Sequence, residues 1–261
     1  MKVVISVSAV LACALLVLAY AFIYQTRSPA AERLMLYCDD GIRGPVEEIV
    51  EAFQRRTGVR VGTHFAPTQS LLESLRQRRD GGLFLSADEY YVEKALEEGL
   101  IREVREIALI EPIILVGTGN PKGIRSPQDL VAPEVRLAAA GDDKRALDRI
   151  THSVLLANEI SLASAEDNLV STGVAAAHPA HAVALGHADA AIVPRPKALE
   201  HLVAAEIVKI DAGQNVFFPV VIGVVEGARR RDAGDRFADF ISSDYARHVF
   251  AQYGYRMDGR E

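Results

Sequence analysis

The 261-residue sequence has no tryptophan, few other aromatic residues and only two cysteines. The scarcity of aromatic rings argues against a lectin-like platform that stacks sugars on such rings. Cys13 lies inside a hydrophobic segment, so Cys38 has no partner in the rest of the chain, and a disulfide-stapled scaffold is excluded. We expect Cys38 to be a small, half-buried residue at the end of a strand.

Basic runs are also scarce. The formal net charge is -6, and no Lys/Arg-rich run stands out beyond Arg229, Arg230 and Arg231. A surface that binds nucleic acid is normally strongly basic. The sequence therefore predicts no nucleic-acid partner.

The common catalytic signatures are missing: there is no P-loop, GxSxG elbow, GxGxxG, HExxH or CxxC. Asp39 and Asp40 leave a hydrolase or metal enzyme as an alternative hypothesis, but adjacent side chains at a strand end usually point in different directions. His178, His181 and His187 form a local cluster without a recognisable third ligand or second shell, so we expect a surface role for them. The sequence predicts no catalytic residue, no metal site, no cofactor and no enzymatic activity.

The longest apolar run is at the N terminus, where residues 3–24 form 22 positions without a charge. A helix of about 20 apolar residues spans a bilayer, whereas a cleaved signal peptide has a shorter apolar region and a small-residue exit site. We predict a signal anchor over residues 1–25, followed by a polar linker over 26–33. A cleaved signal peptide and lipidation at Cys13 are the alternatives, and each of the three places the remaining chain outside the cytoplasm.

From residue 34 onward, apolar strand-like segments alternate with amphipathic helical segments. We predict strands at 34–38, 59–65, 83–85, 112–116, 135–139, 190–193 and 216–225. We predict helices at 45–57, 70–79, 89–98, 175–185 and 232–253, and a further helical segment that ends at residue 158. This alternation is typical of a parallel-type α/β sheet, which binds ligands at the carboxyl ends of its strands. The polar or loop residues expected at those ends are Asp39, Asp40, Thr68, Gln69, Ser70, Ser86, Asp88, Asp142, Asp143, Thr172, Gly173, Pro194 and Arg195.

In this order and spacing, the segments resemble the molybdate-binding proteins of bacterial ABC transporters, a group of periplasmic solute-binding proteins. The resemblance covers residues 34–255 and is carried by segments 45–53, 57–59, 83–88, 114–121, 124–130, 135–142, 188–193 and 240–255. It implies a two-lobed α/β fold with a hinge, which closes on a small-molecule or oxyanion ligand and delivers it to a membrane permease as a monomer. It also implies a first lobe from residues 34–116 and 213–261, the second part including the C-terminal helix, and a second lobe from 117–212.

The resemblance further implies five ligand-binding positions, and the sequence departs from the family pattern at several of them. The first loop normally offers a hydroxyl or glycine and here holds two aspartates; the fifth is a tyrosine in many members, and Pro194 stands there. The second loop, residues 66–70, keeps its hydroxyls. Ungapped counting places the third position at Asp148, and the fourth, a backbone N–H, falls near Thr172 and Gly173. The predicted ligand-binding residues are Asp39, Asp40, Thr68, Ser70, Ser86, Asp148, Thr172 and Gly173.

An aspartate beside a dianion is unfavourable, since two like charges 4 Å apart repel by about 4 kcal/mol at an effective dielectric of about 20. Either the aspartates turn away, or they pair with Arg43, Arg145, Arg149 or Arg195, or the ligand is not molybdate. From the resemblance, we predict a solute-binding protein of an ABC importer, and the like-charge repulsion bears only on whether its ligand is molybdate. The alternative is a membrane-tethered sensor or interaction module whose cleft no longer binds molybdate.

Overall fold

The computed structural model of the protein describes residues 33–78, 82–139, 148–170, 178–227 and 231–257. The predicted anchor over residues 1–25 and nearly all of the linker lie outside these ranges. Across the described residues, no helix combines the length and the apolar character needed to cross a bilayer.

The described chain contains nine strands, nine α-helices and two short 3-10 turns. The strands are β1 (Leu34–Asp39), β2 (Val61–Ala66), β3 (Leu83–Ser86), β4 (Ile101–Ile110), β5 (Pro112–Gly117), β6 (Leu137–Ala138), β7 (Ala190–Pro194), β8 (Ala205–Val208) and β9 (Phe218–Val225). The helices are α1 (Arg43–Thr57), α2 (Thr68–Arg78), α3 (Glu89–Glu97), α4 (Arg149–Ala157), α5 (Leu162–Asp167), α6 (Pro179–Ala184), α7 (Arg195–Leu199), α8 (Arg231–Ile241) and α9 (Asp244–Gln252). The 3-10 turns are Asp40–Ile42 and Pro127–Val131.

The strands form two sheets, in the orders β2-β1-β3-β9-β4 and β6-β7-β5-β8. In the first sheet β1 is parallel to β2 and β3, so the carboxyl ends of these three strands meet at one edge. Both sheets are mixed rather than purely parallel: β9 runs antiparallel to β3 and β4, and β5 runs antiparallel to β7 and β8. The prediction of a parallel-type sheet was wrong in this respect. The chain returns to the first sheet from β8 of the second sheet, and β9 therefore runs opposite to its neighbour β3.

Two connections join the sheets. Glu111 alone separates β4 in the first sheet from β5 in the second, and residues 209–217 lead back from β8 to β9. Residues 112–116 were assigned to the first lobe, but β5 pairs with β7 and β8, so these residues belong to the second sheet. The division of the whole chain into lobes stays a prediction, with its first boundary better drawn at Glu111.

The first sheet is packed against α1, α8 and α9 through a continuous apolar core. The predicted apolar face of α1 is buried, including Ile49 and Phe53, and the Phe53 ring meets that of Phe237 edge to face with centroids 5.0 Å apart. Gly58 ends α1 in the left-handed region with φ of 70°, as its position after Thr57 predicts. Each fully buried side chain of this kind stabilises the fold by about 1.5–3 kcal/mol.

Three local predictions differ from the structure. The predicted helix over 232–253 is two helices, because the Ser243 side chain caps α9 and starts a new axis. Strands β4 and β8 were not predicted. Cys38 was expected to be half-buried, but it is fully buried and free, since its strand runs through the middle of the sheet.

Candidate functional site

A cavity of about 380 Å³ lies where the strand ends of the two sheets face each other, and we call it the central cavity. One wall comes from the end of β1, the turn after it, the loop after β3 and the end of β4. The other wall comes from the end of β7 and the residues around α6 and α7. The lining residues are Asp39, Asp40, Gly41, Ile42, Ala87, Ile110, His178, Pro194, Pro196, Lys197 and Tyr255.

A second cavity of about 510 Å³, the side cavity, adjoins the central one. It shares Asp40, Lys197 and Tyr255 with the central cavity and extends past Arg43 to Tyr253. The two cavities therefore form an elongated space along the start of α1.

Asp39 is the most strongly engaged polar side chain of the central cavity. Its Oδ1 accepts a hydrogen bond of 2.8 Å from the Gly41 N–H, and its Oδ2 accepts one from the Thr68 hydroxyl. Gly41 lies in the 3-10 turn after β1, and Thr68 begins α2 directly after β2. Both oxygens of this carboxylate are thus held by donors from two neighbouring strand ends.

A chain of hydrogen bonds supports the Thr68 donor. The Thr68 Oγ1 and Ser86 Oγ atoms are 3.1 Å apart, and Ser86 Oγ accepts a 2.9 Å bond from the Asp88 N–H. Because Thr68 gives its only proton to Asp39, Ser86 is the donor in the bond between the two hydroxyls, and the Asp88 carbonyl at 3.4 Å is a second acceptor for the Ser86 proton. The chain runs from the Asp88 amide through two hydroxyls to the Asp39 carboxylate, and each bond polarises the next.

The two hydroxyls of this chain are hidden from solvent: Ser86 is 0% exposed and Thr68 is 5% exposed. Burial raises the pKa of Asp39 above its ordinary value of 3.8. The hydrogen bonds from Thr68 and Gly41 oppose this shift, while the charges of Asp40 and Asp88 add to it. The carboxylate therefore occupies a position at which negative charge is held by donors but is poorly solvated.

Asp40 has a different environment, although it is adjacent in sequence. It begins the 3-10 turn, is exposed, and lines both cavities. The expectation that the two carboxylates point in different directions agrees with this arrangement.

An ion pair joins the two walls at the edge of the site. Arg149, the first residue of α4, donates from Nη1 to Asp88 Oδ1 over 2.7 Å, and its guanidinium lies 5.3 Å from the centre of the Phe218 ring. Asp88 belongs to the loop after β3, whereas α4 packs on β7 of the second sheet. The pair therefore connects the first sheet to the second.

The arginines expected to neutralise Asp39 and Asp40 pair with other acids. Arg43 lies 3.4 Å from Glu47, Arg195 lies 3.1 Å from Glu111, and Arg149 binds Asp88. Arg145, the fourth candidate, is outside the described residues.

The second-sheet wall brings two basic side chains to the cavity. Lys197 Nζ lies 3.0 Å from Glu200 Oε1. His178 is half-buried, and its Nδ1 accepts a bond from the Ala180 N–H, which leaves Nε2 to carry the proton of the neutral ring. Burial lowers the pKa of His178, and the charge of Lys197 lowers it further. The surface role expected for His178 was wrong, because α6 turns it toward the cavity.

The predicted ligand-binding residues are only partly brought together. Asp39, Thr68 and Ser86 form one network, and Asp40 lies beside it. Ser70 is exposed on α2, outside the residues that line the two cavities. Asp148 caps α4 by accepting from the Thr151 N–H over 3.0 Å and the Thr151 hydroxyl over 2.8 Å.

Thr172 and Gly173 lie outside the described residues, and so do Asp142 and Asp143. A ligand-binding role for each residue of the predicted set stays a prediction.

The residues that sequence reasoning missed are Lys197 and Tyr255. Lys197 follows two prolines that interrupt the pattern after β7, so the short helix α7 gives little periodic signal. Tyr255 comes from the far end of the chain and donates to the Gly41 carbonyl over 3.3 Å. Its only sequence signal is an aromatic residue directly after the terminal helix.

Within the described ranges, no group of three or more His, Cys, Asp or Glu side chains is placed to hold a metal ion. Asp39 and Asp40 therefore have no third partner of this kind there.

Comparison with known proteins shows what the chain is similar to. The chain is 30% identical to a binding protein of Haemophilus influenzae over 129 residues, which are 49% of this chain and 52% of that one. The chain thus spans about half the length of that relative in the match. It is 24% identical to the molybdate-binding protein ModA of Mycobacterium tuberculosis over 227 residues, which are 86% of this chain and 85% of ModA.

Solved structures share the fold. A substrate-binding domain assigned to a molybdenum ABC transporter of Clostridium difficile superposes with a TM-score of 0.71 at 17% identity, covering 87% of this chain and 99% of that one. The sulfate-binding protein SubI of Mycobacterium tuberculosis superposes with a TM-score of 0.69 at 16% identity, covering 87% of each chain. The predicted α/β fold of the periplasmic binding proteins is confirmed, and in this chain it is built on two sheets.

A family model settles the membership of the chain, because it matches residues 34–256 and so spans both sheets and the central cavity. The resemblance to molybdate-binding relatives, predicted from segment order, is confirmed as well. The family consists of binding proteins rather than enzymes. The chain belongs to the bacterial extracellular solute-binding proteins.

Proposed function

We propose that the protein captures a small solute in the central cavity and delivers it to the permease of an ABC importer. The observation that carries this proposal is that the cavity has one wall from each sheet, with Asp39 on one side and His178 and Lys197 on the other. Its volume of about 380 Å³ falls in the range of small-molecule sites. A solute bound there would contact both sheets at once.

Capture requires the walls to separate and close, and the connections between the sheets suit a hinge. The backbone passes between the sheets at Glu111 and again along residues 209–217. Asn215 Nδ2 donates to the Pro112 carbonyl over 2.9 Å and so holds the two connections side by side. A small rotation about this pair would open the cavity without breaking either sheet.

We also propose that the domain acts outside the cytoplasm as a monomer, tethered to the membrane by residues 3–24. The family description supports an extracytoplasmic location. The tether rests on the length of the apolar run alone. Intact-mass measurement of the mature protein tests it, since a cleaved or lipidated chain would lose residues at the N terminus.

Thermal unfolding in the presence of candidate solutes tests the proposed capture. A solute at 100 times its Kd stabilises the native state by about 2.7 kcal/mol. Each kcal/mol raises the melting temperature of a domain of this size by about 2–4 °C. The panel should include molybdate, tungstate, sulfate and phosphate, together with amino acids, polyamines and small polyols.

The control is a pair of matched substitutions. Ala87 lines the central cavity and Ala157 is exposed at the end of α4. Ala87→Phe should fill the cavity and abolish any solute-dependent shift, whereas Ala157→Phe should keep it. A shift that survives Ala87→Phe unchanged would place binding elsewhere and contradict the proposal.

A further inference from the structure

The hydrogen-bond donors at the first-sheet wall already bind an anion that belongs to the protein. A carboxylate is an oxyanion, and Asp39 receives the Gly41 N–H on one oxygen and the Thr68 hydroxyl on the other. Backbone amides and short hydroxyls at strand ends and helix starts are the groups that proteins use to bind oxyanions without a cation. The arrangement is a small oxyanion cradle, and Asp39 fills it.

The two hydroxyls of this network are shielded from a solute, whereas Gly41 lines the cavity and its N–H is occupied by Asp39. Thr68 and Ser86 are buried, and the Thr68 hydroxyl donates its proton to Asp39. Asp39 lines the central cavity, so its carboxylate stands between the donors and the open space. Any solute at this wall meets carboxylate oxygens rather than hydroxyls.

The cations around the cavity do not compensate for a second anion. Lys197 pairs with Glu200, Arg149 with Asp88, and Arg43 with Glu47. Asp40 adds a further negative charge on the same wall. An anion placed about 4 Å from the Asp39 carboxylate would lose roughly a thousandfold in affinity through like-charge repulsion.

We infer that Asp39 is the specificity-determining residue of the cavity: its carboxylate occupies the oxyanion cradle, excludes oxyanion solutes, and selects a solute that presents a hydrogen-bond donor or a positive charge. The solute class is thus a small amine- or hydroxyl-bearing molecule. This inference rests on the proposed function, because it assumes that the central cavity binds the solute.

The test removes the Asp39 carboxylate and measures whether an oxyanion then binds. Asp39→Ser removes the competing carboxylate and adds a hydroxyl beside Gly41 and Thr68. Sodium molybdate and sodium sulfate are titrated calorimetrically into the full-length protein, in a mild detergent at about pH 8, where an ordinary carboxylate is ionised. The wild type should bind neither salt, and Asp39→Ser should gain affinity by at least about a hundredfold.

Two further variants distinguish the effect of freeing the two donors from the effect of removing a negative charge. Asp40→Ser removes a negative charge from the same wall without freeing either donor, so its gain should be much smaller. Asp239→Ser removes an exposed charge on α8, which pairs with Arg105 away from the cavity, and should behave as the wild type. An equal gain in Asp40→Ser and Asp39→Ser would overturn the inference.

If the serine variant folds poorly, the same titrations are made with Asp39→Asn, which keeps the shape of the side chain and loses its charge. Tight molybdate or sulfate binding by the wild type overturns the inference but leaves the proposed function standing. So does failure of both Asp39 variants to gain affinity while an amine or polyol still stabilises the wild type. If no solute stabilises the wild type and no Asp39 variant binds an oxyanion, the proposed function fails with the inference.

Discussion

Asp39 and Asp40 show how strongly one backbone turn can separate two identical side chains. The 3-10 turn over residues 40–42 starts between them, so Asp39 folds back onto Gly41 and Thr68 while Asp40 faces solvent. The sequence could place both aspartates at a strand end. It could not show which of them would meet a hydroxyl 29 positions later, because that contact depends on the pairing of β1 with β2.

The half-buried position of Asp39 predicts a specific dependence of stability on pH. Its pKa in the folded protein is raised above 3.8, mainly by burial, so the folded state holds this proton to higher pH than the unfolded state. The contribution of Asp39 to stability is therefore complete below 3.8 and is lost as pH rises through the folded pKa. The charged and titratable groups nearby are Cys38, Asp40, Asp88, His178, Lys197 and Tyr255.

Comparing wild type with Asp39→Asn isolates this effect, since the other groups titrate in both proteins. We expect the melting temperature of the wild type, relative to that of Asp39→Asn, to fall as pH rises from about 4 toward neutral, because the raised pKa of Asp39 favours the protonated folded state at the acid end. Thermal unfolding across that range measures the difference. A difference that stays constant or grows with pH would show that Asp39 is not held in a poorly solvated position.

Ser86 and Ser70 were predicted as ligand-binding residues, and the structure gives them opposite environments. Ser86→Ala leaves the Asp88 N–H and the Thr68 oxygen without their partner in a buried site, which should cost about 1–3 kcal/mol. Ser70→Ala removes an exposed hydroxyl and should change stability by less than about 0.5 kcal/mol. Chemical denaturation of both variants distinguishes them, and equal losses would contradict the hydrogen-bond chain.

At the scale of elements, the long segments with regular patterns were predictable and the irregular ones were not. The face of α1 that holds Ile49 and Phe53 was found from helical spacing, and Gly58 gave its end. Strand β4 was missed because Glu103 has φ of 53° and the pairing with β9 shifts register between Arg102 and Arg105. Such a bulge interrupts the period of two that identifies a strand.

The terminal helices illustrate the role of a single cap. Ser243 Oγ donates to the Phe240 carbonyl over 2.6 Å and accepts from the Ala246 N–H over 3.5 Å, so α8 ends and α9 begins at this point. Ser243→Ala should lower stability by about 1 kcal/mol, as for other helix caps. Urea denaturation measures the change.

Ser242→Ala is the neighbouring control for this cap. Among the described bonds, the Ser242 hydroxyl donates only to the Ala238 carbonyl in the last turn of α8, and its loss should cost less. A larger cost for Ser242→Ala than for Ser243→Ala would contradict the capping role.

At the scale of the whole molecule, segment order identified the family, but the walls of the cavity depended on contacts between distant parts of the chain. The predicted set included residues of the first-sheet side, where Asp39 and Ser86 end clear strands. It missed Lys197 and Tyr255, because a wall from the second sheet and the chain end forms only when the sheets face each other. Pattern within one segment carries no information on that placement.

The Asp88–Arg149 pair predicts a measurable effect on the relative position of the sheets. A partly exposed ion pair is worth at most about 1 kcal/mol, so Arg149→Ala should change the melting temperature little. It should still let the sheets separate, and we expect a larger radius of gyration by small-angle X-ray scattering of the solute-free protein. Arg105→Ala breaks the Arg105–Asp239 pair within the first-sheet side and should leave the scattering curve unchanged. Identical curves for wild type and Arg149→Ala would show that this pair does not hold the walls together.

The central claim is that a solute binds between the two sheets, and native mass spectrometry tests it most directly. Full-length protein in a mild detergent is incubated with a small-molecule extract of bacterial growth medium and measured under native and denaturing conditions. The account predicts one small molecule per chain, lost on denaturation, retained by Ala157→Phe and absent from Ala87→Phe. A native mass equal to the denatured mass in the wild type, or a bound molecule that Ala87→Phe retains, would contradict it.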